Sequence, residues 1–170
     1  MISPTHDPLF IALRAFILSF ISGVEVVQGL GNGVPMPENA FIAITAVGQR
    51  RLATNETTYD ADGDERTIKK STEYSIQVDC YGPLSSDHAT EIEMLWRDGY
   101  ACDFLLSYGC QPLFCTDATQ SALVTGEENY AQRWMLTAVL QFNPVTTVAQ
   151  EFADVLEVDI VSVDATYPPL

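Results

Sequence analysis

The chain reads as an α+β protein: a mainly antiparallel β-sheet with a long projecting β-hairpin, packed by an N-terminal helix and a second central helix. Three observations predict this. A punctuated apolar segment opens the chain, residues 74–80 and 134–142 alternate apolar and polar with the period of a strand, and residues 89–96 repeat apolar side chains at helical spacing.

With 170 residues, 47% of them hydrophobic, the chain can close one core, and a single domain over residues 1–170 is expected. Twenty-three Asp and Glu oppose eight Lys and Arg, a formal net charge of −15. Such a body repels a polyanion, so ordinary duplex binding is disfavoured. Four cysteines without a Cys-x-x-Cys pair read as buried reduced thiols, which points to a reducing compartment.

Asp7-Pro8 offers an N-cap and a first-turn proline, and Gly23 a stop, so a helix is expected from about Pro8 to Ser22. The apolar run from Leu9 to Ile21 is too short to span a bilayer, contains Arg14 and follows no basic region, so no membrane segment is expected. Its apolar residues, Phe10, Phe16 and Phe20 among them, wrap most of the helix. A helix apolar all round must be covered on more than one side, and a neighbouring subunit can supply the second cover.

Val24 to Val27 reads as a short strand and Gly29 to Pro37 as a loop. Phe41 to Thr54 and Glu65 to Tyr81 are expected to form the long hairpin around the polar loop 55–64. Its distal part, about residues 48–72, carries five of the eight cations: Arg50, Arg51, Arg66, Lys69 and Lys70. That part reads either as a solvated hairpin with cross-strand charge pairs or as a partner-binding arm.

Beyond Gly82-Pro83, Ser85 or Ser86 can cap a helix running towards Gly99, with a shorter helical segment from Tyr100 to Leu106. Residues 109–126 read as loop. Tyr130 to Phe142 is expected to be a central antiparallel strand ended by Asn143-Pro144, Leu156 to Val163 a further strand, and residues 164–170 an extended tail.

Catalytic and metal chemistry finds little support. Gly29 to Gly33 lacks the lysine and spacing of a phosphate loop. Asp60, Asp62 and Asp64 imitate the start of a calcium loop, but glycine falls at the fourth position and Ser71 at the twelfth. Cys110 and Cys115 lack two further ligands for zinc. Glu91/Glu93 and Glu127/Glu128 read as solvated acidic surface. A cysteine activated by His88 has no identifiable orienting partner, so a cytosolic thiol enzyme is the minor alternative. No catalytic residue, metal or cofactor is expected.

Several segments, in order, resemble the tail terminator (neck terminator) proteins of long-tailed bacteriophages. They are Gly23-Val24-Glu25-Val26, Pro35 to Phe41, Arg50 to Asn55, Ser75 to Pro83, Asn129-Tyr130 with Arg133-Trp134, and Leu140 to Pro144. The resemblance spans nearly the whole chain, although Cys102, Cys110 and Cys115 match no motif of the family.

The resemblance implies a structural virion protein, assembled in the host cytoplasm, that forms a homohexameric ring on the head-proximal end of the tail tube. Such a ring ends tube polymerisation and leaves a channel through which DNA passes without specific binding. Implied partners are further copies of itself, the tail tube protein and a head-completion or connector protein, with a sheath protein as a further candidate and no membrane. Another head-tail junction component is the alternative. The cations Arg50, Arg51, Arg66, Lys69 and Lys70, with Phe10, Phe16 and Phe20, are the expected interface residues.

Overall fold

A computed structural model describes residues 7–29, 37–121, 123–124 and 130–152. In chain order the elements are helix α1 (Asp7–Leu18) and strands β1 (Glu25–Gln28), β2 (Phe41–Arg51), β3 (Glu56–Asp60), β4 (Glu65–Lys69) and β5 (Thr72–Tyr81). Helices α2 (Ser85–Trp96) and α3 (Gly99–Leu106) follow. Strands β6 (Cys110–Cys115), β7 (Thr119–Gln120), β8 (Leu123–Val124), β9 (Tyr130–Ala131), β10 (Arg133–Phe142) and β11 (Val145–Ala149) complete the order.

The main sheet runs β1-β2-β5-β10-β6, with β7 also on β10; only the β1–β2 pairing is parallel. This is the expected α+β architecture. Alternation decides which face is buried: Tyr74, Ile76, Val78 and Cys80 of β5 lie beside Leu136, Ala138 and Leu140 of β10, with Ile42 and Ile44 of β2 completing the layer. The three helices cover this face. Ala89, Ile92 and Trp96 of α2 and Ala101 and Leu105 of α3 enter the same core.

Helix α1 ends earlier than its sequence suggests. After Leu18 the backbone tightens, with Ser19 N–H donating to Phe16 O (3.1 Å) and the Ser19 hydroxyl to the same carbonyl (2.6 Å). Gly23 then turns the chain at φ +77°, a conformation that a side chain disfavours. Most of the second cover comes from the subunit itself. Phe16 is wholly buried, with the rings of Phe20, Trp96 and Phe104 5.1–5.7 Å away at steep angles. Ile11, 62% exposed, is the one strongly exposed apolar residue of α1.

The long hairpin is two structures joined. Its proximal half, β2 and β5, belongs to the main sheet; its distal half, β3 and β4, forms a separate sheet completed by β11, which lies against β4. The expected strand Glu65 to Tyr81 breaks at Lys70-Ser71, where the turn that follows β10 binds its backbone. Lys70 N–H donates to Pro144 O (3.0 Å) and Thr72 N–H to Asn143 Oδ1 (3.3 Å).

Two more expectations need correction. Residues 109–126, read as loop, contain edge strand β6, whose alternation is obscured by Pro112 and by a register shift opposite Val139/Leu140. Neither Ser85 nor Ser86 caps α2: the N-cap is Leu84, and Ser85 sits buried in the first turn with its hydroxyl unpaired. The strand expected at 156–163 and the tail lie outside the described residues, as do residues 30–36 of the expected loop and Glu127/Glu128.

Replacing Phe16 by Ala should lower unfolding free energy by about 3–5 kcal/mol in chemical denaturation, the range for large core aromatics, while Ile11→Ala should change it by no more than about 0.5 kcal/mol. Equal effects would refute this division of α1 into buried and free sides.

Candidate assembly surface

The distal sheet β11-β4-β3 contains no fully buried residue, and every residue of β3 is exposed. Its cations are more paired than sequence spacing reveals. Arg50 meets Glu73 across the β2–β5 pair at 2.9 Å, Lys69 meets Glu56 across β3–β4 at 3.1 Å, and Arg51 donates to Asn55 Oδ1 at 3.1 Å. Arg66 and Lys70 make no ion pair among the described residues, and Arg66 Nε is buried without a hydrogen-bond acceptor.

The arm is also not basic overall. Between residues 48 and 72 its five cations are matched by Glu56, Asp60, Asp62, Asp64 and Glu65, so the −15 of the chain resides outside it. Arg50, Arg51, Lys69 and Lys70 lie towards the root with Glu56, while Arg66 joins Asp60, Asp62, Asp64 and Glu65 towards the tip. There Asp60 Oδ1 is occupied as a turn acceptor, receiving Asp62 N–H (3.2 Å) and Gly63 N–H (3.3 Å). Among the described residues no group of three or more His, Cys, Asp or Glu is placed to hold a metal.

The aromatic candidates divide. Phe16 lies inside the subunit, while Phe10 and Phe20 are half-buried at its edge. Phe20 leans on Tyr100, whose hydroxyl is 2.9 Å from that of Ser19 and ties α1 to α3. Further apolar side chains that sequence reasoning did not single out stand exposed: Met94 on α2, Leu106 on α3, and Leu113 and Phe114 on edge strand β6. Only exposure marks them, since their spacing in sequence resembles that of core residues.

On the sheet face opposite the helices lies a polar cluster that alternation alone does not announce. Asp79 Oδ1 accepts from Arg133 Nε (3.1 Å) and Nη2 (2.9 Å), and Gln77 Nε2 donates to both Asp79 oxygens. The Arg133 guanidinium sits 5.8 Å over the Tyr81 ring, which stacks on Phe41 at 4.3 Å. The pair is held on strands β5 and β10 in adjacent register, Arg133 opposite Tyr81 and Met135 opposite Asp79. With only 6% of the Asp79 side chain exposed, the arrangement rigidifies the junction of the two strands.

The three buried thiols are held in their neutral form. Burial pushes Cys80 up to about 12, with the Asp79 charge adding to it, and Cys110 up to about 11. Cys115 is raised by burial against a partial offset from Arg97, whose Nε lies 3.4 Å from its sulfur. His88 forms no hydrogen bond to any of the four, and its Nδ1 is buried without a partner. The alternative of a His88-activated thiol therefore gains no geometric support. Glu91 and Glu93 diverge: Glu93 binds Ala118 N–H (3.0 Å) and Arg97 (3.4 Å), whereas Glu91 faces outward.

An α+β fold with a braced, coreless arm, exposed apolar edges and buried thiols held neutral has the make-up of a structural assembly protein. A family model described as Phage neck terminator protein matches residues 7–166, and the chain belongs to that family. Among solved structures, one similar chain is described as the sheath/tube terminator of an extracellular contractile injection system, PVC, in its extended state. It aligns with a TM-score of 0.49 and 7% identity, over 98% of this chain and 67% of that chain. No curated protein matches the chain.

Two measurements check this surface. Asp79→Asn should destabilise the fold by about 3 kcal/mol, because Arg133 loses its buried partner, whereas Lys69→Ala, at an exposed pair, should cost about 0.5 kcal/mol or less. In native protein at pH 8 an aromatic disulfide reagent should leave Cys80 and Cys110 unmodified, with all four thiols reacting after unfolding. Rapid labelling of either residue below neutral pH would restore the thiol-enzyme reading.

Proposed function

We propose that this phage tail terminator closes the head-proximal end of the tail tube as a homo-oligomeric ring, a hexamer, stopping tube growth and joining the tail to head-completion or connector proteins. The observation that carries the reading is the match to the neck terminator family from residue 7 to residue 166, which takes in all of the described residues. The role is one of surfaces and not of turnover. Its partners are further copies of the chain, the tube protein and, in a sheathed tail, the sheath protein. It belongs to the virion neck and is assembled in the host cytoplasm.

Two features support the ring. The arm carries little apolar burial of its own, so a contact that covers it adds stability that the lone subunit lacks. A protruding element that docks on a different surface of the next copy makes a heterologous contact, the kind that closes into rings. The interface then draws on the arm cations Arg50, Arg51, Arg66, Lys69 and Lys70 and on the half-buried Phe10 and Phe20. Net charge outside the arm supports a channel wall that does not hold DNA, because a polyanion finds few cations to displace its counterions.

Loss of the gene from a phage genome should give overlong, headless tubes in electron micrographs, and native mass spectrometry of the purified chain, alone or with tubes, should show six copies. Normal-length tails that merely fail to join heads would favour a head-side adaptor instead.

A further inference from the structure

We infer that the arm of one subunit docks on the outer face of α2 in the next, an assignment that rests on the ring reading above. The arm contributes one face of its distal sheet. Tyr59, Arg66 and Val148 are cross-strand neighbours on that face, and the Tyr59 ring meets Phe152 edge-on at 6.1 Å. Tyr59 is 58% exposed. Three strands need a covered apolar face or a packed helix to be stable on their own, and this face lacks both within the described subunit.

The occupant must satisfy Arg66. Its side chain makes no ion pair among the described residues, so a covering surface that brings a carboxylate gains a charge-assisted bond. It must also bring apolar area for Tyr59 and Val148. The outer stripe of α2 has both. Asp87, Glu91 and Met94 follow at helical spacing on the side away from the core, Met94 is 68% exposed, and together with Leu95 they line a concavity of about 430 Å³. Neither Asp87 nor Glu91 has an ion-pair partner among the described residues.

The contact runs between copies because the two surfaces leave β5 at opposite ends. The arm departs from Thr72 and α2 follows Tyr81, and ten residues of strand separate these points by roughly 30 Å. A tab at one end and a receptor at the other is the geometry of head-to-tail association. Charge complementarity rests on Arg66 among the docking residues, set against Asp87 and Glu91 of a body that carries the whole net charge of −15.

The test mixes two single variants, Tyr59→Cys and Met94→Cys, both at exposed positions, and applies a short bismaleimide. Denaturing electrophoresis should then show a species of twice the chain mass that neither variant yields alone, and circular dichroism checks folding. Arg66→Glu should weaken assembly about tenfold, as should Glu91→Arg, and the two reversals together should recover most of the loss. A ring of normal mass without the mixed product, or a Tyr59→Cys adduct formed only with tube protein, overturns the docking while leaving the ring intact. A chain that stays monomeric both alone and on tube ends overturns the ring, and this contact with it.

Discussion

Strand β10 is the constraint on which the rest of the architecture depends. Its buried face supplies Leu136, Ala138 and Leu140 to the core under α2, and its two edges hydrogen-bond β5 on one side and β6 and β7 on the other. Where it ends, Asn143 and Pro144 bind the backbone at Thr72 and Lys70, and the chain re-enters as β11 beside β4. Core, edge and arm are therefore positioned by one ten-residue segment. The ion pair of Asp79 with Arg133 fastens this strand to β5 on the far face, at the end of the pair opposite the arm's root.

What the amino acids disclose follows from how local the cause is. The alternation in Tyr74 to Cys80 and Trp134 to Phe142, and the helical spacing of Ala89, Ile92 and Trp96, are properties of single segments and survive into the fold unchanged. The division of the hairpin is different. It is caused by β11, a strand of five residues with two exposed valines and no clear alternation, whose pairing partner lies about eighty residues earlier in the chain. No window of sequence contains that information. Strand β6 was hidden for a similar reason, since its backbone is satisfied by β10 and Pro112 disguises it as a turn.

The candidate surface was legible in part. Sequence spacing picked out the arm and its cations, but it could not tell the paired Arg50 and Lys69 from the unpaired Arg66 and Lys70, because cross-strand register decides that. It also could not separate Phe16, wholly internal, from Phe10 and Phe20 at the edge, a difference made by where α3 and Trp96 close over α1. Asp79 looked like one more solvent-facing residue of an alternating strand until Arg133 was brought beside it.

Pro112 carries one further consequence. Strand β6 forms a margin of the main sheet, and a margin with a complete row of donors is an invitation to any extended peptide. Pro112 carries no backbone N–H, so β6 has one donor fewer to offer. Such a gap makes the protein a poorer seed for ribbons of its own kind.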